Sequence, residues 1–152
     1  MSLRNVIQYS LRQLKQKDFH FCESLVIDSQ MENFQRLGIE FKEEVLWLQL
    51  RQPTAKIVCV EKSDIGFFAL ENESLNELYI SNIYLDKNYR NLGLGSELIM
   101  RILNEAKKAN FLSVMATTYF GDENINFYSK LNFKEVRREY PHITLAIDLS
   151  EL

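Results

Sequence analysis

Apolar and polar positions along the chain change period several times, and each change marks an element. Residues 6–11 read as a first strand. From 15 to about 37, Phe19, Cys22, Leu25, Val26 and Met31 recur at roughly helical spacing, with Gly38 as a helix stop. Residues 40–51 predict a second helix, ended by the Gln52-Pro53 step, because the residue before proline is pushed out of the helical region. Residues 57–61 and 65–70 are β-rich runs around Lys62-Ser63-Asp64, which predicts a hairpin. Residues 75–85 predict a further strand.

The period then switches to that of a helix. Leu94, Leu98, Ile99, Ile102, Leu103 and Ala106 form one apolar stripe, with Lys107 and Lys108 in the last turn, where cations favour the helix dipole. Asn110 suits a left-handed cap. Residues 111–118 predict a strand, Asp122 caps a short helix reaching 131, and Asn132 suits a left-handed end. Residues 133–139 and 143–149 predict a closing strand pair joined near Pro141-His142. The order β-α-α-β-β-β-α-β-α-β-β predicts an α/β fold with a sheet of mixed direction, in one domain spanning 1–152.

Composition narrows the function classes. The 152 residues carry 18 Lys+Arg against 21 Asp+Glu, a net charge of −3, which gives no electrostatic footprint for nucleic acid. No apolar run approaches the ~18 residues of a membrane span, and Arg, Gln and Lys interrupt the N-terminal region, so neither membrane insertion nor a signal peptide is expected. Cys22, Cys59, His20 and His142 are too few and too scattered for a disulfide framework or a metal cluster. Both cysteines read as small buried hydrophobes, and a reducing cytoplasm is the expected compartment.

Glycine is scarce: Gly38, Gly66, Gly93, Gly95 and Gly121 are all there are. Two of them fall in Arg90-Asn91-Leu92-Gly93-Leu94-Gly95-Ser96, between a predicted strand exit and the striped helix. The first amides of a helix lack intrahelical partners and sit at the positive end of its dipole, so phosphate groups bind there readily. Glycines let such a ligand approach, and Arg90 offers a charge-assisted contact. A Walker A loop is excluded because no Gly-Lys-Ser/Thr follows. A dinucleotide fingerprint is excluded because its third glycine would fall on Leu98.

Arg90-Asn91-Leu92-Gly93-Leu94-Gly95 resembles the Arg/Gln-x-x-Gly-x-Gly/Ala motif of the GCN5-related N-acetyltransferase (GNAT) family. Ile83-Tyr84-Leu85-Asp86-Lys87-Asn88-Tyr89 resembles that family's exit from the fourth strand, and Phe127-Tyr128-Ser129-Lys130-Leu131-Asn132-Phe133 its "Leu-Tyr-x-x-x-Gly-Phe" segment. The resemblance implies a mostly antiparallel sheet of six to seven strands with about four helices, in which strands 4 and 5 run parallel and splay apart. It implies acetyl-CoA as acetyl donor, with no metal. By resemblance, the backbone of Ile83, Tyr84 and Leu85 meets the pantetheine arm, the segment Arg90 to Ser96 cradles the pyrophosphate, Asn124 touches the CoA arm, and Tyr128 protonates the departing thiolate. Several positions depart from the family pattern: Lys87 stands where proline is frequent, Gly121 where asparagine is, and Asn132 replaces the glycine before Phe133.

A thiol has a pKa near ~8.5 and tyrosine near ~10, so protonation by Tyr128 is mildly uphill unless the site tunes it. The amine must also lose a proton. Many relatives use a glutamate on the fourth strand, where this chain has Tyr79. Glu77, two residues earlier on the same strand face, is the candidate base, and water relay through Ser81 or Tyr79 is the alternative. The expected reaction is direct attack of a primary amine, on a small molecule or a protein, upon acetyl-CoA in a ternary complex. The same fold acting as a non-catalytic CoA sensor or a partner-binding module stays open, as do the identity of the amine, a longer acyl group, and a monomeric or homodimeric state.

Overall fold

All six positions of the stripe predicted for the third helix are at most 3 % exposed on α3 (Leu94–Lys108). They pack on one face of a seven-stranded sheet, together with Val114, Ala116, Leu145 and Ile147. The computed structural model describes residues 7–152. Along the chain the remaining elements are β1 (Ser10–Gln13), α1 (Phe19–Leu37), α2 (Glu43–Leu50), β2 (Lys56–Val60), β3 (Ser63–Asn72), β4 (Glu77–Leu85), β5 (Ser113–Tyr119), α4 (Asn124–Lys130), β6 (Lys134–Glu139) and β7 (His142–Asp148). The strands lie in the order β1-β2-β3-β4-β5-β7-β6. Among the described residues only β4 and β5, joined through α3, run parallel; every other pair is antiparallel. The helices α1 and α2 bury Phe19, Cys22, Leu46 and Leu50 on the opposite face, against Ile57, Phe67 and Ala69.

The predicted mixed sheet and its parallel central pair are present, and the differences lie mainly at element ends. The first strand is Ser10–Gln13 rather than 6–11, because its partner β2 ends at Val60, one residue past the Ser10–Cys59 pair. Predicted Val6 lies outside the described residues. The helix expected from 15 starts as an α-helix only at Phe19: Asp18 accepts the Lys15 amide (2.9 Å), and a 3₁₀ turn fills Gln16–Asp18. The buried stripe of α1 runs through Cys22, Val26, Gln30 and Phe34, leaving Met31 42 % exposed. The second helix starts at Glu43, not 40, with Glu43 and Glu44 in the turn where anions are favoured. Glu61, in the left-handed region, and Lys62 make the β2–β3 turn, so Ser63 and Asp64 already belong to β3. The fourth strand starts at Glu77, since the Glu73 and Ser74 amides donate to the Glu77 carbonyl and Leu75 sits at the exposed tip. Phe111 does not open the fifth strand: its amide returns to the Ala106 carbonyl and closes α3, with Asn110 left-handed as expected. The short helix ends at Lys130, one residue early. Cys59 is half-buried rather than buried.

Because Leu98 is fully buried between α3 and the sheet, Leu98→Ala is expected to lower unfolding free energy by about 2–5 kcal/mol. Urea denaturation checks this; a cost well under 1 kcal/mol would mean the stripe is not core.

Candidate active site

The parallel pair opens part-way along. Pairing runs from Glu77–Ser113 to Ile80–Ala116 and stops. Beyond it, β4 continues with β3 while Thr117, Thr118 and Tyr119 continue with β7. The register of β3 and β4 slips at Ala69/Leu70, which leaves Ser81 as the extra residue of a bulge. A bulge bends its strand and increases local twist, so β4 swings away where the cleft begins. The Ser81 hydroxyl anchors the bulge by donating to the Ala69 carbonyl (3.0 Å), and the buried Asn82 donates to Gln49 on α2 (2.8 Å). The Asp86 amide donates to Ile65 on the β3 side, so strand alternation turns the Ile83 and Leu85 amides toward the cleft.

At the far end of β4 the glycine loop turns into α3. Asn91 (φ 62°) and Gly93 (φ 86°) take left-handed conformations, and Gly93 caps the helix. Among the described residues no hydrogen bond engages the amides of Asn91, Leu92, Gly93, Leu94, Gly95 or Ser96. The Leu94 side chain anchors the turn in the core at 2 % exposure, whereas Asn91, Leu92, Gly93 and Ser96 face outward. The nearest atoms a Cβ on Gly95 would meet belong to Phe127 and Leu85, at 3.6–3.9 Å, ordinary contact. Neither sterics nor helix stability asks for glycine there. Thr118, which sequence reasoning passed over, places a buried hydroxyl on the opened stretch of β5, without a hydrogen-bond partner among the described residues. These features fit a diphosphate-bearing ligand with an extended arm.

The predicted side chains divide. Arg90 does not point into free solvent: its Nε donates to the Leu85 carbonyl (2.9 Å), a terminal nitrogen donates to Ser29 Oγ (2.7 Å), and Asp28 lies 3.7 Å away. It ties the loop to α1. Asn124 is exposed at the start of α4, with its amide held by Asp122 (2.8 Å). Tyr128 is only 7 % exposed, packed between Phe127 (5.3 Å) and Phe133 (5.1 Å). Burial pushes its hydroxyl well above the ordinary tyrosine range, aided by Tyr79 and Asp122 nearby. Burial likewise raises Tyr84, sensed by Tyr119 and Tyr128 among others. Tyr84 on β4 and Tyr119 on β5 thus lie beyond the last parallel pair, whereas Tyr79 sits in the zipped stretch opposite Met115. Glu77 pairs with Ser113 at the zipped end, three residues (about 10 Å) upstream of the last pair.

Sequence reasoning also missed a polar chain on α1. Gln30 reaches the Tyr84 hydroxyl (3.5 Å), Asn33 donates to Gln30 (2.8 Å) and Asp122 (2.9 Å), and Arg36 donates to Asn33 (2.7 Å) and the Phe120 carbonyl (2.5 Å). Only the low exposure of Gln30 marks it, and a polar residue on a buried stripe carries no signature of its own.

A family profile described as "Acetyltransferase (GNAT) family" matches residues 9–133. No curated protein matches significantly. Among solved structures, the PaiA N-acetyltransferase from Thermoplasma acidophilum in complex with coenzyme A superposes with TM-score 0.72 at 16% identity, over 93% of this chain and 99% of that one. The ribosomal-protein-S18-alanine N-acetyltransferase from Escherichia coli gives 0.71 at 18% identity, over 93% and 94%. A GNAT family acetyltransferase from Elizabethkingia anophelis with acetyl-CoA bound gives 0.73 at 14% identity, over 92% and 97%.

The two loop glycines should respond differently to alanine. Gly93→Ala forces a side chain into the left-handed region and should cost about 1–2 kcal/mol. Gly95→Ala should leave stability equal or higher by about 0.5–1 kcal/mol, since glycine is a poor helix residue. Thermal melts of the two variants decide it, and a destabilised Gly95→Ala would contradict the ligand-based reading of that glycine.

Proposed function

The chain belongs to the GNAT acetyltransferase family, and from that premise we propose that it moves an acetyl group from acetyl-CoA to a primary amine by direct attack. The observation that carries this reading is the run of unengaged amides from Asn91 to Ser96 at the outer end of an opened parallel strand pair. Acetyl-CoA supplies a thioester carbonyl already activated toward an amine. The amides of Asn91, Leu92, Gly93, Leu94, Gly95 and Ser96 hold its diphosphate at the start of α3, where the dipole favours anions. With the Leu85 carbonyl taken by Arg90, the Ile83 amide and carbonyl and the Leu85 amide remain to pair with the extended arm. The arm thereby becomes an extra strand in the gap. An amide of β4 beside the Ser81 bulge donates to the charge that develops on the carbonyl oxygen.

Tyr128 then gives its hydroxyl proton to the departing sulfur as the carbon–sulfur bond breaks, and the new carbon–nitrogen bond keeps the acetyl group on the amine. Burial of Tyr128 keeps the hydroxyl protonated and also makes it a weaker acid, so the transfer relies on the thiolate being desolvated in the same place. The amine's proton leaves by water past Tyr79 and Ser81, with Glu77 as the remote acceptor at the zipped end. Amines of small molecules and of proteins both fit this chemistry, the S18 alanine enzyme being a structural neighbour that acts on a protein.

Acetyl-CoA at 100 times its Kd should stabilise the protein by about 2.7 kcal/mol in a thermal shift measurement. Thiol release across a panel of primary amines should then show turnover. Tyr128→Phe is expected to lower kcat about 100-fold with CoA affinity nearly unchanged. The raised hydroxyl works in one direction on pH: kcat should climb as the amine loses its proton, with no falling limb as pH approaches ~10. An unmoved melting temperature removes the donor assignment, shift without thiol release leaves a CoA-binding sensor, and undiminished kcat in Tyr128→Phe removes that residue as the acid.

A further inference from the structure

The segment Asp28 to Arg36 of α1 reaches both arms of the cleft. On the β4 side, Ser29 and Asp28 hold Arg90 of the glycine loop, and Gln30 reaches the Tyr84 hydroxyl. On the β5 side, Asn33 holds Asp122 and Arg36 holds the Phe120 carbonyl. Asn33 is the hub. Its amide nitrogen donates to Gln30 and Asp122, and its oxygen accepts from Arg36. Asp122 is itself engaged twice: Oδ2 by Asn33 and Oδ1 by the Asn124 amide, which opens α4. Tyr128 stands one turn further along α4. A seven-residue helix has little stability of its own, so its placement depends on such anchors.

We propose that Asn33 is a positioning residue for acetyl transfer, acting through Asp122 and the start of α4 to hold Tyr128 at the cleft; the proposal rests on the acetyl-transfer reading above. The bonding pattern allows a swap. Asn33→Asp keeps the acceptor for Arg36, loses both donated bonds, and sets a carboxylate against Asp122. Adding Asp122→Asn restores the pair with its direction reversed, the new side chain donating to the aspartate at 33, and still accepts the Asn124 amide.

The test measures kcat, CoA affinity and amide hydrogen exchange in wild type, Asn33→Asp and Asn33→Asp/Asp122→Asn. The expected result for the single variant is a drop in kcat of about tenfold or more with CoA Kd within about twofold, and faster exchange across residues 120–130. The double variant should recover both. Wild-type kcat and exchange in Asn33→Asp, or a loss that the swap fails to recover, would overturn the proposal, since a general folding defect gives no reason for rescue by reversal. If wild type transfers no acetyl group, the exchange measurement still reads the Asn33–Asp122–α4 linkage, so failure of the functional reading is told apart from failure of the brace.

Discussion

Everything at the site follows from one broken ladder. A parallel pair normally bonds along its whole length, yet β4 and β5 share only four residue pairs, ending at Ile80 and Ala116. Each strand then has a better partner elsewhere: β3 follows β4 past its bulge, and β7 follows β5 to Tyr119. Backbone groups cannot stay unpaired without cost, so the exposed edge of β4 is a template for a strand-like ligand. Ser81 matters because one extra residue creates the bend, and its hydroxyl fixes the bend to Ala69.

The two ends of this cleft are held by different means. Toward α3, chirality and burial do the work: Asn91 and Gly93 adopt left-handed turns while Leu94 sinks into the core, which presents a row of amides outward. Toward α4, hydrogen bonds from α1 carry the load, running from Tyr84 through Gln30 and Asn33 to Asp122. α1 therefore connects the glycine loop to the helix that carries Tyr128. Arg90 illustrates the division, since its guanidinium ties the glycine loop to the Leu85 carbonyl and to Ser29 of α1.

What could be read in the sequence was local. The stripe of α3, the left-handed ends at Gly38, Asn110 and Asn132, and the glycine loop each depend on a few adjacent residues, and each is present. β4 and β5 start at 77 and 113 rather than at the 75 and 111 that the pattern predicts, because turn hydrogen bonds, from Glu73 and Ser74 to Glu77 and from Phe111 to Ala106, decide them. The bulge at Ser81 is a property of register between two strands and leaves no mark in either. Gln30, Asn33 and Asp122 look like ordinary helix and loop polars, and only the fold shows that they meet. Tyr128 is buried among Phe127 and Phe133, and its residue type alone could not separate core packing from chemistry.

The most direct test follows individual amides while CoA is titrated into isotope-labelled protein. Nuclear magnetic resonance should show saturable shifts concentrated at the amides of residues 91–96 and of Ile83 and Leu85. Binding that left those amides unmoved, or shifts confined to another face of the sheet, would contradict a diphosphate held by the opening of α3 and an arm lying along the free edge of β4.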